Sequence, residues 1–212
     1  MKRDYILSRK GYCVGVLFFS GLWGLSEAVL GGALYSAQVP FSSVILTLIA
    51  FGILAISRAY LPQKGTATLI GLCAMLFKFF NAPVFVCHFL AIAMTGLSFD
   101  LFVTILNIKY KTIAGFAAAF FSYAAFAVFM TFIIRYQYWT GSLDKFYGHI
   151  IGGVFASLGC AIVVPVMLKA GELTKSKLER PFRLKIQTLS LATAGLWIFS
   201  LAVFSHTLIT GR

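Results

Sequence analysis

Glu27, Lys78, His88 and Asp100 are ionisable side chains set inside long apolar runs, and any chemistry this chain performs within a bilayer falls first to them. A carboxylate or an ammonium at bilayer depth needs a counter-charge, a proton or a water-filled cavity. Glu27 is the single acid in the 26 residues 12–37, YCVGVLFFSGLWGLSEAVLGGALYSA. Along helices rising about 1.5 Å per residue, Glu27 lies roughly 22 Å and Lys78 roughly 18 Å from the starts of their segments. The two segments run the same way, so the sequence allows a Glu27–Lys78 ion pair. That pair either pins two helices together or lines a polar substrate cavity, and the residues alone leave both readings open. Asp100 falls near the level of Arg58, where structural pairing is favoured over a proton relay. His88 shares the outer half of the molecule with His149 and His206. Their spacing is non-local, so no metal site is expected, and no cofactor either.

Long apolar helices must position these groups. The chain has 212 residues, 60% apolar and 11% charged, with a mean hydropathy of +0.91. The apolar residues come in blocks of roughly twenty, the length that crosses a bilayer. Seven spans are predicted, at about 12–37, 41–61, 66–80, 83–106, 112–134, 149–168 and 186–208. The count falls to six if the short third segment is a half-helix or re-entrant element. The fold expected is therefore an all-α polytopic transmembrane bundle, a single integral-membrane domain over 1–212. The charged loop 171–185 reads as non-helical, because Pro181 breaks any helix there.

The net charge of +12 would suggest nucleic acid in a soluble protein. Here the basic residues lie between apolar blocks and report topology instead, so no nucleic-acid partner is expected. With the N-terminus in the cytoplasm, fourteen of the 18 Lys and Arg residues fall on the cytoplasmic side. Only Arg135, Lys145 and Arg212 fall outside, and Lys78 alone lies within a span. The four cysteines lie inside apolar blocks without CxxC spacing and read as buried thiols. The sequence lacks GxxxxGK[ST], HExxH, GxSxG and CxxCH, so no enzyme class is indicated.

A small-residue track, Gly24, Ala28 and Gly32, runs along the first span with a four-residue period. Such residues let helix backbones approach closely in lipid. The track is a candidate packing face, internal or toward another membrane protein. Glu27 lies about 60° from Gly24 around the axis, which puts the acid beside that face. A similar row, Ala114, Ala118 and Ser122, marks the fifth span.

The stretches GLWGLSEAVLGGAL (21–34), LIGLCAMLFKFFNAP (69–83) and FLAIAMTGLSFDL (89–101) resemble a bacterial membrane-protein family similar to the substrate-binding S components of energy-coupling factor transporters. The resemblance covers roughly residues 15–106. It implies a subunit of the bacterial cytoplasmic membrane that captures a small-molecule micronutrient from outside. Such a subunit works with a separate transmembrane coupling protein and ATPases. It makes Glu27 and Lys78 cavity residues and the Gly24 track a coupling face. S components usually have six helices, and seven are predicted here. Two other readings stay open: a secondary transporter or channel using Glu27 and Asp100, and a membrane scaffold whose buried charges are structural. An intramembrane enzyme ranks last.

Overall fold

The computed structural model describes residues 9–80, 86–106, 109–135, 140, 143–178, 190–199 and 202, and these residues form helices joined by short turns. Helix α1 is Arg9–Ser36 and α2 is Ser42–Tyr60. Helix α3, Thr66–Ala74, tightens into a 3-10 stretch over Met75–Phe80. Helix α4, Val86–Phe99, widens into a π stretch over Asp100–Ile105, and α5, Lys111–Val128, does the same over Phe129–Ile133. Helix α6 is Leu143–Leu178, and a short α7 covers Ser190–Phe199.

Five helices are long and apolar enough to cross a membrane: Arg9–Leu34, Ser42–Tyr60, Cys87–Ile105, Lys111–Ile133 and Asp144–Ser176. The chain is an integral membrane protein. The segments Thr66–Lys78 and Ser190–Phe199 are shorter. At about 1.5 Å per α-helical and 2.0 Å per 3-10 residue, Thr66–Phe80 reaches roughly 25 Å, short of a bilayer core of about 30 Å. One boundary is corrected. The expected sixth segment, 149–168, is part of the 36-residue α6, which runs on to Leu178. Pro165 lies inside the helix without ending it, and Pro181 falls beyond Leu178, so the helix carries the start of the charged stretch out of the apolar layer.

Close contacts fix the direction of each helix. On α1 and α2, Gly15 faces Leu61 and Gly31 faces Leu46, so the two are antiparallel. On α1 and α3, Tyr12 bonds Thr66 at 3.0 Å and Gly24 faces Phe77, so these are parallel. Gly71 meets Ile92 and Gly96 meets Ala67, which sets α4 antiparallel to α3. Gly115 meets Cys160 and Val164 while Gly153 meets Tyr123, which sets α6 antiparallel to α5. Gly159 faces Leu48 and Gly171 faces Ala59, so α6 and α2 are parallel. The helices α1 to α6 therefore alternate in direction.

One end of this bundle carries Arg9, Lys10, Arg58, Lys64, Lys109, Lys111, Lys169 and Lys175. We term it the basic end. The opposite end carries Arg135 and Lys145 among the described residues. At the basic end Lys175 donates to the Ala59 carbonyl at 3.0 Å, satisfying an orphan acceptor at the C-terminus of α2. Gly65 starts α3 at φ 82°, a conformation that glycine adopts without strain.

The hydrophobic core is lopsided. It gathers Phe19 and Trp23 of α1, Phe51, Leu54 and Leu61 of α2, Ile70 of α3, Phe99 of α4, Ala114 and Ala118 of α5, and Cys160 and Val164 of α6. Each comes from the middle of its helix or from the part nearer the basic end. The row Ala114, Ala118 and Ser122 is buried, so it serves packing inside the bundle. On α6 the inward stripe is Gly153, Ala156, Ser157, Cys160 and Val164, while Phe155, Leu158, Ile162 and Val166 face outward as a lipid surface. Toward the opposite end Phe126, Ala127 and Met130 stay buried, and the buried stripe thins on α1 and α2. Val29, Leu30, Phe41 and Ile45 are all exposed.

The α3–α4 crossing is a stringent test of this packing. A methyl group at Gly96 would lie 2.7 Å from the Ala67 carbonyl oxygen, a backbone atom that cannot rotate away. Gly96→Ala is expected to destabilise the bundle by about 1–3 kcal/mol, read as a lower unfolding midpoint in detergent micelles. A Cβ at Gly32 would meet no neighbour within 4 Å among the described residues. Gly32→Ala should leave the midpoint unchanged or slightly raised.

Candidate functional site

Lys78 Nζ lies 3.0 Å from Glu27 Oε2, and the two side chains are only 10% and 12% exposed. Lys78 also donates to the backbone carbonyl of Glu27 at 3.4 Å. Trp23, almost wholly buried one turn earlier on α1, donates its indole N–H to Glu27 Oε1 at 3.4 Å. The ion pair allowed by the sequence is present.

The 3-10 stretch helps to bring the partners level. Tyr12 and Thr66 are hydrogen-bonded and so give a common zero. From there Glu27 rises roughly 22 Å on α1, and Lys78 roughly 20 Å once four 3-10 steps replace α-helical ones. Phe77, beside Lys78, fits the notch of Gly24. A Cβ at Gly24 would overlap its ring. Trp197 of α7 packs at a tilt against Phe77, ring centroids 4.5 Å apart, and donates to the Leu17 carbonyl at 3.3 Å. The segment bearing Lys78 is thus held from both sides.

The track of Gly24, Ala28 and Gly32 is not one continuous packing face. Gly24 is filled by Phe77 within the same chain, whereas a Cβ at Gly32 would meet nothing within 4 Å among the described residues. At Gly24 the track packs inside the chain, one of the two uses left open by the sequence, because the notch is occupied by an aromatic ring. Ala28 is half-buried between them.

Further polar groups sit on the same side of the core as the pair. His88, exposed on α4, lies within electrostatic range of both Lys78 and Glu27. Tyr123 of α5 bonds Thr47 of α2 at 3.0 Å and lies within electrostatic range of Glu27. His149 of α6 stacks on the Tyr123 ring at 4.6 Å and packs against Phe126 at 5.1 Å. Below them Thr95 and Ser122 link α4 to α5 at 3.2 Å. A cavity of about 490 Å³, bordered by Leu34, Ser36, Gln38, Val39 and Ser42, opens where α1 turns into α2.

Asp100 does not join this group. Its Oδ2 accepts from the backbone N–H and the hydroxyl of Thr68, both at 2.7 Å. Thr68 is in the first turn of α3, so a carboxylate on α4 satisfies orphan donors at the start of a neighbouring helix. Asp100 is 1% exposed and lies roughly 17 Å along the bundle from Lys78, toward the basic end. Its assignment to the cavity is corrected for that reason. Arg58 lies within electrostatic range of Asp100, as its level on α2 suggested, yet the direct bonds come from Thr68. Neither Asp100 Oδ1 nor Arg58 Nη1 has a hydrogen-bond partner among the described residues.

The sequence pointed to Glu27 and Lys78 but passed over Trp23, Thr47 and Tyr123. A phenol inside the alanine-rich α5 was the available signal, since a buried tyrosine hydroxyl needs a partner. Cys13, Cys73, Cys87 and Cys160 are free thiols. Among the described residues no three His, Cys, Asp or Glu side chains come together as a metal site. His206 lies outside the described residues.

Removing one member of the pair leaves a charge at depth without its counter-charge. Glu27→Gln and Lys78→Met are each expected to lose about 3–5 kcal/mol of stability, and the double change much less than the sum. Unfolding in micelles over the full double-mutant cycle measures the coupling. Additive losses would show that the two charges do not stabilise one another. Compared with known proteins, the chain matches no protein-family model, no curated protein and no solved structure.

Proposed function

We propose that this chain is the substrate-capturing membrane subunit of a small-molecule uptake system, working with a separate transmembrane coupling protein and ATPases. The observation that carries the reading is the division of the bundle. Much of the hydrophobic core lies toward the basic end and the middle of the bundle, while Glu27, Lys78, Tyr123 and Thr47 lie toward the other end, the end at which a cavity opens between α1 and α2. Polar groups in a membrane bundle are rare and expensive, and they concentrate where a ligand or ion is handled. The resemblance of residues 15–106 to S components supports the same reading.

In this proposal the basic end faces the cytoplasm, as the distribution of Lys and Arg favours, and the cavity opens to the outside. The protein resides in a bacterial cytoplasmic membrane. Helices α3 and α7 complete a seven-segment arrangement around the five long spans, with α3 too short for a full straight crossing. No catalytic role is assigned to any residue. Asp100 supports the start of α3 and takes no part in a proton path, which weighs against a transporter or channel built on Glu27 and Asp100.

One observation favours a scaffold instead. The Glu27–Lys78 pair neutralises itself without any ligand. The two readings separate in one experiment. The protein is purified in a mild detergent, extracted with organic solvent, and the extract analysed by mass spectrometry. Capture predicts a co-purified small molecule that is absent from a folded Glu27→Gln/Lys78→Met preparation. Removing a charge-assisted contact should weaken binding by about 30–100-fold, equivalent to roughly 2–3 kcal/mol. Identical extracts from both folded preparations would favour the scaffold.

A further inference from the structure

The chemistry around Glu27 and Lys78 narrows what this site can receive. The argument rests on the capture reading given above. Within the described residues the ammonium of Lys78 reaches two acceptors, Glu27 Oε2 and the Glu27 carbonyl. It has three donors to give. The Glu27 carboxylate is reached by Lys78 and by the Trp23 indole, and a carboxylate offers about four acceptor positions. Both members of the pair keep unspent hydrogen-bonding capacity of opposite kinds.

The cavity borders α1 two turns beyond Glu27, at Leu34. Glu27, Gly31 and Leu34 are spaced i, i+4 and i+7, so they share one face of α1. Leu34 lines the cavity. Gly31 lies between, and a Cβ placed on it would be 3.7 Å from Lys78 Nζ. With no side chain at position 31, α1 itself covers the ammonium there only by backbone, and the Leu46 side chain of α2 lies 3.5 Å from the same Cβ position. The cavity's Leu34 border is about 4.5 Å along the helix from Gly31. Its volume of about 490 Å³ falls in the size range of small-molecule sites, roughly 300–1,000 Å³.

Charge balance then selects the ligand. The pair is neutral as a unit and nearly buried. A simple anion that engages Lys78 competes with Glu27 and leaves a carboxylate without its counter-charge. A simple cation that engages Glu27 strands the ammonium in the same way. Either outcome puts a net charge in a poorly solvated place, which is strongly unfavourable. A molecule carrying both charges meets both partners and leaves the site neutral.

We infer that the site takes a small zwitterion, its carboxylate received by Lys78 and its cationic nitrogen received by Glu27, entering through the cavity between the ends of α1 and α2. The Trp23 indole, bonded to Glu27, reports the event, because a ligand that recruits Glu27 changes the surroundings of that ring.

The test uses the full chain in lipid nanodiscs and three pools of probes that share their side chains and differ only in charge. The zwitterionic pool holds the amino acids with uncharged side chains. The anionic pool holds their N-acetyl derivatives, and the cationic pool their methyl esters. Thermal stability and tryptophan fluorescence are read against each pool. The inference expects a raised midpoint and a fluorescence change with the zwitterions, and at least about tenfold weaker responses with the other two. The Glu27→Gln/Lys78→Met variant, which introduces no unpaired charge, should fold and lose the zwitterion response. Binding of the anionic or cationic pool instead, or an undiminished zwitterion response in the folded double variant, would overturn the inference. So would silence with all three pools. A co-purified molecule found to carry a net charge would overturn the zwitterion assignment while leaving the capture reading intact. An empty extract together with silence would overturn both.

Discussion

A carboxylate and an ammonium 3.0 Å apart hold the start of this structure together. Neither charge is tolerable alone in a hydrocarbon layer, so each requires the other at a matching depth. That requirement sets the register of α1 against α3. The rest of the local architecture serves the same alignment. The 3-10 turns over Met75–Phe80 add length to an element too short to reach by α-helix alone. Phe77 seats in the notch of Gly24, and Trp197 closes over Phe77 from α7.

The bundle around this pair is organised by close backbone approach on one side and by its relaxation on the other. Gly71, Gly96 and Gly115 bring α1, α3, α4, α5 and α6 together near the basic end, where contact with backbone atoms excludes even a methyl group at Gly96 or Gly115. Dispersion contacts and interhelical hydrogen bonds, rather than a hydrophobic drive, hold helices in lipid, so such approaches carry the stability. Beyond Glu27 the glycines divide. A Cβ at Gly32 or Gly148 would meet no described atom within 4 Å, whereas Gly153 is filled by Tyr123. The same residue type thus serves close packing at both ends and leaves space at two positions toward the opposite one.

The two buried acids show how far residue identity leads. Glu27 and Asp100 are both carboxylates in apolar helices, and the sequence grouped them as cavity candidates. In the structure one meets a lysine and the other caps the start of a helix through Thr68. Asp100 was legible as a residue needing a partner, and Arg58 was legible as its neighbour in depth. Thr68 was not, because a backbone N–H at a helix start is a donor that every sequence possesses. Only the crossing of α3 and α4 decides which acceptor reaches it. The track of Gly24, Ala28 and Gly32 failed as a single face for a similar reason. Its period describes a stripe on α1, while its use depends on what lies opposite each member.

By itself the sequence determined the solvent in which this chain folds, its helical class, the approximate positions of its long helices and the asymmetric placement of its basic residues. These follow from hydropathy and from the obligation of every backbone polar group in lipid to be satisfied within a helix. It also limited Glu27 to a few partners, since few opposite charges lie at its depth. The tertiary structure decided toward which end the core lies, that Asp100 belongs to that end, and that Tyr123, Thr47 and Trp23 gather with the ion pair. Those outcomes turn on the rotation of each helix about its own axis. Hydropathy is blind to that rotation in a chain whose lipid face and core are equally apolar, and only the packing of side chains against neighbouring helices fixes it.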